Sequence, residues 1–424
     1  MTYSAPDGFS KRKRRALNLS HNYVIPGRVE TFHMFGIDLV IGKRDGYRMW
    51  DLDGHELMDF HLNGGTFNLG HRNPEIMKTL TRALTELDIG NHHFPSEARA
   101  DLAEKLAAAT GLHYTVFASG GSEANDVAIK SSRRFTGKRK IVGIEAGYHG
   151  RTGLSGGVGD DKTARYFKSD YPGEYIKVPF NDLEAMEGVL SNKDIAAVIL
   201  ETIPATYGFP VPGDDYLPGV KKLCERYGSL YIADEVQTGL GRTGHVWGVD
   251  AWGVKPDILV TGKGLSGGMY PVAATVMKKD VGAWLTDNGW GHVSTFGGAE
   301  IGCVVGSRVL DICGDPAVLD HARNIAEYLG GGLEDIQKRH PYLIEIRQKG
   351  LIMGLKFDDA NGAVTMMKAL YDKGIWAIFA GFDLSVLQFK PGLLIDVSFC
   401  DEALERFEDA LSEVEASALK KGGA

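Results

Sequence analysis

The chain has 424 residues, of which 43% are hydrophobic and 24% charged, and a formal net charge of −8 at pH 7. That length exceeds one small domain and makes two domains the starting expectation. The acidic balance disfavours nucleic acid and anionic membranes as main partners, and no run approaches the roughly 20 apolar residues of a membrane span.

Taken in chain order, the first feature is the basic run Lys11-Arg12-Lys13-Arg14-Arg15. It reads as a solvated arm or a subunit contact. The residues after it, Ala16 to His21, are too short and too polar for a secretory h-region. The four cysteines (Cys224, Cys303, Cys313, Cys400) have no CxxC pair and no metal-ligand spacing, which fits buried thiols in a reducing, cytoplasmic compartment and no metal site. "NPEIMKTLTRALTELD" puts Ile76, Leu80, Ala83 and Leu87 on one helical face, and "DEALERFEDALSEV" does the same with Leu404, Phe407, Leu411 and Val414.

Between such helices stand short, almost continuously apolar runs: "YTVFAS", "KIVGIEA", "AAVILETI", "SLYIADE" and "DILVTG". Runs of this kind suit strands buried on both faces of a parallel sheet. Strand alternating with helix predicts an α/β domain over about residues 60–300. Residues 1–59 and 301–424 are expected to fold together as a smaller α+β domain.

Each buried run ends in chemically capable side chains: Ser119 to Glu123, Tyr148 to Arg151, Glu201, Asp234 to Gln237, and Lys263. Open parallel sheets bind ligands beyond the carboxyl ends of their strands, so these groups are predicted to share one rim. "GKGLSG" from Gly262 matches the G-x-G-x-x-G pattern of dinucleotide loops, as does "GLGRTG" from Gly239. Pro271 follows the first too closely for the helix that a pyrophosphate site needs, and two matches in a chain with 55 glycines show how weak the pattern is.

Lys263 has a better explanation as an amine that forms a Schiff base with an aldehyde cofactor. Asp234 emerges from a buried run and needs a cationic partner, which a protonated pyridine nitrogen supplies. The two together are the signature of pyridoxal phosphate chemistry. In "VFASGGSEANDVAIK" a glycine turn leads into a helix from about Glu123, whose free N–H groups favour a phosphate. One helix end contributes only about 0.3–2 kcal/mol, so a hydroxyl such as that of Ser122 is needed as well.

"DGYRMWDLDGHELMDF", "NLGHRNPEI", "FASGGSEANDVAIK", "GYHGRT", "LYIADEVQTGLGRTG", "PDILVTGKGLSGG" and "STFGG" occur in the order found in a known family. The chain resembles the class III (ω-)aminotransferases, which are fold-type I pyridoxal-phosphate enzymes, over nearly its whole length. The resemblance implies pyridoxal 5'-phosphate as cofactor. It makes Lys263 the Schiff-base lysine and proton carrier and Asp234 the partner of the ring nitrogen. Gln237 would bond the ring's phenolic oxygen, with Val236 and Tyr148 on the two ring faces. Gly121 and Ser122 would hold the phosphate, joined by Thr295 from the second subunit of an obligate homodimer. Gly120 stands where many relatives have serine.

Two departures bear on substrate. Relatives that use glutamate and 2-oxoglutarate carry an arginine in an Arg-x-x-Pro-Pro-Leu setting, where "LQFKPGLLID" places Gln388. They also carry a glutamate five residues after the position of Glu201, where this chain has Thr206. Both halves of that ion pair are missing together, so the bidentate grip on an α-carboxylate is not expected. Arg151 keeps the position of an arginine that contacts a distal carboxylate. "GGAEIG" after Phe296, where relatives usually read Gly-Gly-Asn-Pro-Leu, carries no chemical reading. The expectation is a transaminase that moves an amino group from an ω-amino acid, diamine, amine or amino acid to a 2-oxo acid or aldehyde. Arg151, Glu201 and Gln388 would line the substrate side. A racemase, epimerase or aminomutase on the same scaffold is the alternative.

Overall fold

The computed structural model describes residues 3–422, with side chains to residue 417. Four of the five apolar runs lie inside a seven-stranded sheet, while the fifth, Tyr114–Ala118, is an edge strand that pairs only antiparallel and is partly exposed, not the doubly covered parallel strand its composition suggests. The sheet's spatial order is Tyr114–Ala118, Ala273–Met277, Ile258–Thr261, Leu230–Asp234, Ile195–Glu201, Lys140–Ile144 and Tyr175–Val178. Neighbours from Ile258–Thr261 to Tyr175–Val178 are parallel, and Ala273–Met277 runs antiparallel to both of its neighbours. Every residue of Ile195–Glu201, Leu230–Asp234 and Ile258–Thr261 is buried, which is why these segments read as unbroken apolar runs.

Register sets the chemistry. Glu201 pairs with Asp234, and Asp234 pairs with Val260, so the polar ends of three adjacent strands align. The helix Gly121–Thr136 buries Ala124, Val127, Ala128 and Ile129 and ends at Gly137, whose φ of 68° suits the left-handed C-cap. The hydroxyl of Thr275 donates to the carbonyl of Ala124 at 2.6 Å and ties this helix to the antiparallel strand.

The two ends of the chain share a second body. Ile41–Asp45, Arg48–Asp51 and Glu56–Asp59 form an antiparallel ribbon, and Ile375–Trp376 adds to it in parallel, with Met58 opposite Ile375. Leu343–Lys349, Ile352–Phe357, Asp383–Phe389 and Ile378–Ala380 form a third, antiparallel sheet. Phe60 stacks on Phe389 with ring centroids 4.2 Å apart. Buried Arg242, from the loop after Leu230–Asp234, donates to the carbonyls of Leu351 and Pro391 and clamps this body to the main sheet.

Lys11, Arg12 and Arg15 of the basic run are exposed, as a solvated segment requires, but Lys13 is not. The run opens the helix Lys11–Tyr23, with Ser10 as N-cap accepting from the Lys13 amide. Lys13 is buried, 2.9 Å from the Asp51 carboxylate and over the Phe9 ring. A charge run gives no sign of a buried partner 38 positions further on. All four cysteines are free and buried. No helix among the described residues is long and apolar enough to cross a membrane.

Candidate active site

A cavity of ≈ 280 Å³ opens where the strand ends meet the start of the helix Gly121–Thr136. Gly121, Ser122, Tyr148, Arg151, Glu201, Asp234, Val236, Gln237 and Lys263 all line it, together with Asn125, His149, Gly150 and Thr152. Nine of the residues singled out from the sequence thus meet at one place. Gln388 and Thr295 do not line it. Gln388 lies buried in the strand Asp383–Phe389. Thr295 is exposed beside a different cavity with Asn91, His93 and Trp290.

Asp234 is held from two directions. Its Oδ2 accepts from Asn125 Nδ2 at 2.8 Å and faces His149 Nδ1 at 2.8 Å, while Oδ1 accepts the Val236 amide at 3.1 Å. Asn125 also donates to the carbonyl of His149 at 2.9 Å, so one side chain fixes both the aspartate and its histidine. Asn125 does not follow from the strand-end pattern, because it sits inside a helix; His149 belongs to the strand-end group Tyr148 to Arg151, but its contact with Asp234 has no mark in the sequence.

Lys263 begins a 3₁₀ turn, between Gly262 and Gly264, with a φ of 42°. Its Nζ donates to Gln237 Oε1 at 2.8 Å. Burial lowers its pKa, and the nearby Glu201 and Asp234 oppose that shift. Such an amine loses its proton more easily and becomes nucleophilic. Glu201 accepts the amides of Tyr148 at 2.9 Å and Ala205 at 3.2 Å. Burial pushes its carboxyl up to about 7. Next to Asp234, Glu235 faces the other way. Thr202, Thr238 and the amides of Gly248 and Val249 all donate to it, and burial still raises it to about 7.

The opposite end of the cavity is a cradle of hydroxyls and amides. Ser122 Oγ lies 2.7 Å from Thr152 Oγ1 and 2.9 Å from Ser155 Oγ, and accepts the amides of Arg151 and Thr152 at 3.1 Å. Gly150 has a φ of 116°, and a Cβ there would stand 2.1 Å from Ser122 Oγ. A Cβ at Gly120 would meet nothing within 4 Å, so serine and glycine are both accommodated there. The guanidinium of Arg151 sits 5.5 Å from the Tyr148 ring and 3.7 Å from Asp160.

These residues fit pyridoxal phosphate. The helix start with Ser122 and Thr152 suits a phosphate, and Asp234 supplies the anion that a pyridinium needs. Gln237 Nε2 is buried without a hydrogen-bond partner, a donor facing an acceptor that the chain does not supply.

Residues 32–411 match the aminotransferase class-III family. An uncharacterized aminotransferase of Archaeoglobus fulgidus is 46% identical over 95% of this chain and 96% of its own length. An acetylornithine aminotransferase of Caldanaerobacter subterraneus is 33% identical, covering 91% of this chain and 97% of the relative. Among solved structures, the ornithine aminotransferase of Toxoplasma gondii superposes with a TM-score of 0.86 at 27% identity, covering 96% of this chain and 97% of that one. A second structure of that enzyme is described with PLP at partial occupancy in its active site. The α/β fold is that of the fold-type I enzymes, pyridoxal 5'-phosphate is the cofactor of the family, and the chain belongs to the class III aminotransferases.

Proposed function

We propose that this aminotransferase takes its amino group from a donor bearing a terminal amine, namely an ω-amino acid, a diamine or a simple amine. It passes that group to a 2-oxo acid or an aldehyde. The observation that carries this reading is that Gln388 and Thr206 stand where the family resemblance implies an arginine and its partner glutamate, while Arg151 lines the cavity. Loss of one member alone would leave a buried charge unpaired, at a cost of about 3–5 kcal/mol. The names of the ornithine and acetylornithine enzymes among its relatives support a donor of this class, since ornithine carries a terminal amine.

When bound, pyridoxal phosphate supplies the electron sink that makes a proton on the substrate's amine-bearing carbon removable. Asp234, steadied by Asn125 and His149, offers an anion to the ring nitrogen. Gln237, whose Nε2 is unpartnered, would bond the phenolic oxygen, and Val236 and Tyr148, which line the cavity, would flank the ring. Gly121 and Ser122 would hold the phosphate, joined by Thr295 from a second copy in an obligate homodimer. Lys263 Nζ, made less basic by burial, would remove the proton from the donor's amine-bearing carbon and deliver it to the cofactor, and would act in the reverse sense with the acceptor. Arg151 pairs with a carboxylate at the far end of the donor. Buried thiols suit work in the reducing cytoplasm.

The test is the visible spectrum of the holoenzyme titrated with amines, diamines, ω-amino acids and α-amino acids in the absence of acceptor. Loss of the cofactor's long-wavelength band with terminal-amine donors supports the reading. A band lost only with α-amino acids overturns it. A band that persists while a chiral amino acid racemises would place the chain with the isomerases of the same scaffold.

A further inference from the structure

Glu201 and Asp234 are the two acids that line the cavity, and strand register sets them side by side. Glu201 Oε1 accepts the amide of Tyr148 at 2.9 Å, and Oε2 accepts that of Ala205 at 3.2 Å. Each carboxylate oxygen has two lone-pair sites, so each keeps one open after these bonds. The charge of Lys263 feels Glu201 more strongly than Asp234. In pyridoxal phosphate the ring nitrogen lies across the ring from the carbon that bears the aldehyde. Asp234, tied to Asn125, His149 and the Val236 amide, serves the nitrogen end. His149 is itself fully buried and turned to Asp234. Lys263 marks the aldehyde end, and Glu201 is the cavity acid that remains for it.

A terminal-amine donor sets a task that an electron sink does not perform. An alkylammonium holds its proton up to about pH 10. While it does so, its nitrogen has no lone pair with which to attack the aldehyde carbon. A base at that end of the cavity has to take the proton first. Burial suits Glu201 to this work: desolvation pushes its carboxyl up to about 7, and Asp234 adds to the rise while His149 and the two amides oppose it. A carboxylate raised in this way is a far better proton acceptor at neutral pH than an exposed one.

We propose that Glu201 is the catalytic base that takes the ammonium proton of the incoming donor. The N–H bond breaks with its electron pair left on nitrogen, an O–H bond forms on Glu201, and the neutral amine attacks. When the aminated acceptor leaves, Glu201 returns the proton to it. Donor and product both travel as ammonium ions, and the full cycle neither gains nor loses a proton. This proton is distinct from the carbon-bound one assigned to Lys263. The proposal rests on the reading of the chain as a terminal-amine transaminase and deepens it, because such amines give up their proton only to a base. A clamp that merely straps Tyr148 to Ala205 is the competing role.

Ethylamine and methoxyamine are close in size, but methoxyamine is already neutral at pH 7. Loss of the cofactor's long-wavelength band on mixing each with holoenzyme reports the attack without turnover. We expect E201Q to slow ethylamine about 100-fold, within the range for a general base, and methoxyamine less than about 3-fold. E201D, which keeps the carboxylate, should recover part of the ethylamine rate. Equal slowing of both amines would make Glu201 a clamp, and no slowing of either would remove it from the reaction. If neither variant folds and takes up cofactor, the wild type alone decides. Its ratio of ethylamine to methoxyamine rates should level off above about pH 7, where Glu201 is ionised. A ratio that climbs about tenfold per pH unit up to about pH 10 would mean that the amine loses its proton to water. His149, Asp234 and Lys263 face Glu201, and Arg151 shares the cavity; the ratio removes their common effect. A further readout leaves activity aside. The infrared difference spectrum on adding ethylamine should show a protonated carboxyl stretch in the wild type, absent with E201Q and with methoxyamine. No such stretch in the wild type would overturn the proposal. If ethylamine does not react but an α-amino acid does, the terminal-amine reading fails, and the same comparison with that amino acid still decides the role of Glu201.

Discussion

At the scale of single residues, the site depends on where protons rest in the empty protein. Glu201 has a pKa of about 7 when folded, above the ordinary value of 4.5, chiefly because burial disfavours its charge. Between those two values the folded chain holds a proton that the unfolded chain has released. Stability contributed by this group is therefore present below about 4.5 and is lost as pH rises towards about 7. Glu235 acts in the same direction. In cofactor-free protein, E201Q should flatten the decline in unfolding free energy between pH 5 and pH 8 by roughly 2–4 kcal/mol. Urea midpoints at those two pH values measure it, and a slope equal to that of the wild type would refute the assignment of the proton to Glu201. The legible residues were those that end a strand: Glu201, Asp234 and Lys263 follow apolar runs directly. Asn125 was not legible, because its partner Asp234 lies 109 positions away, and His149, although it ends a run, carries no local sign that it faces Asp234, 85 positions on.

At the scale of elements, the same contrast separates strands and helices that could be read from those that could not. Ile195–Glu201 and Leu230–Asp234 are covered on both faces and need apolar residues at every position. Tyr175–Val178 is a four-residue edge strand containing a lysine, and Ala273–Met277 is half alanine-like in character and defined by the two strands it slots between. Neither has a local signal strong enough to stand alone. The helix Lys11–Tyr23 is the clearest case of burial overriding composition. Its Lys13 and Asp51 are respectively 6% and 1% exposed at the side chain, so removing the cation leaves a carboxylate without its counter-ion. K13M should cost about 3–5 kcal/mol in unfolding free energy while the cofactor's absorption band stays in place. Thermal melting alongside the spectrum separates the two effects. A variant that melts with the wild type would mean the helix is held by its apolar contacts alone.

At the scale of the whole molecule, the chain brings distant segments to one rim because the sheet aligns its strand ends, and a second body is tied to that sheet through Arg242. Residues from both chain ends share that body, and Arg242 fixes it through carbonyls at Leu351 and Pro391, directly beside Lys390. Its buried guanidinium has its pKa lowered to about 10 by desolvation, yet it stays charged at neutral pH.

Lys263 occupies the left-handed region at a φ of 42°, where a side chain is strained and glycine is not. The fold therefore sacrifices some of its own stability to aim one amine at the cavity, a trade-off between activity and robustness written into a single backbone angle. Two substitutions expose it. K263A retains the strain and K263G relieves it, so the cofactor-free glycine form should be the more stable of the pair by about 1 kcal/mol, although glycine usually destabilises. Were alanine the more stable, the turn would be relaxed and the enzyme's reactive residue would cost the fold nothing.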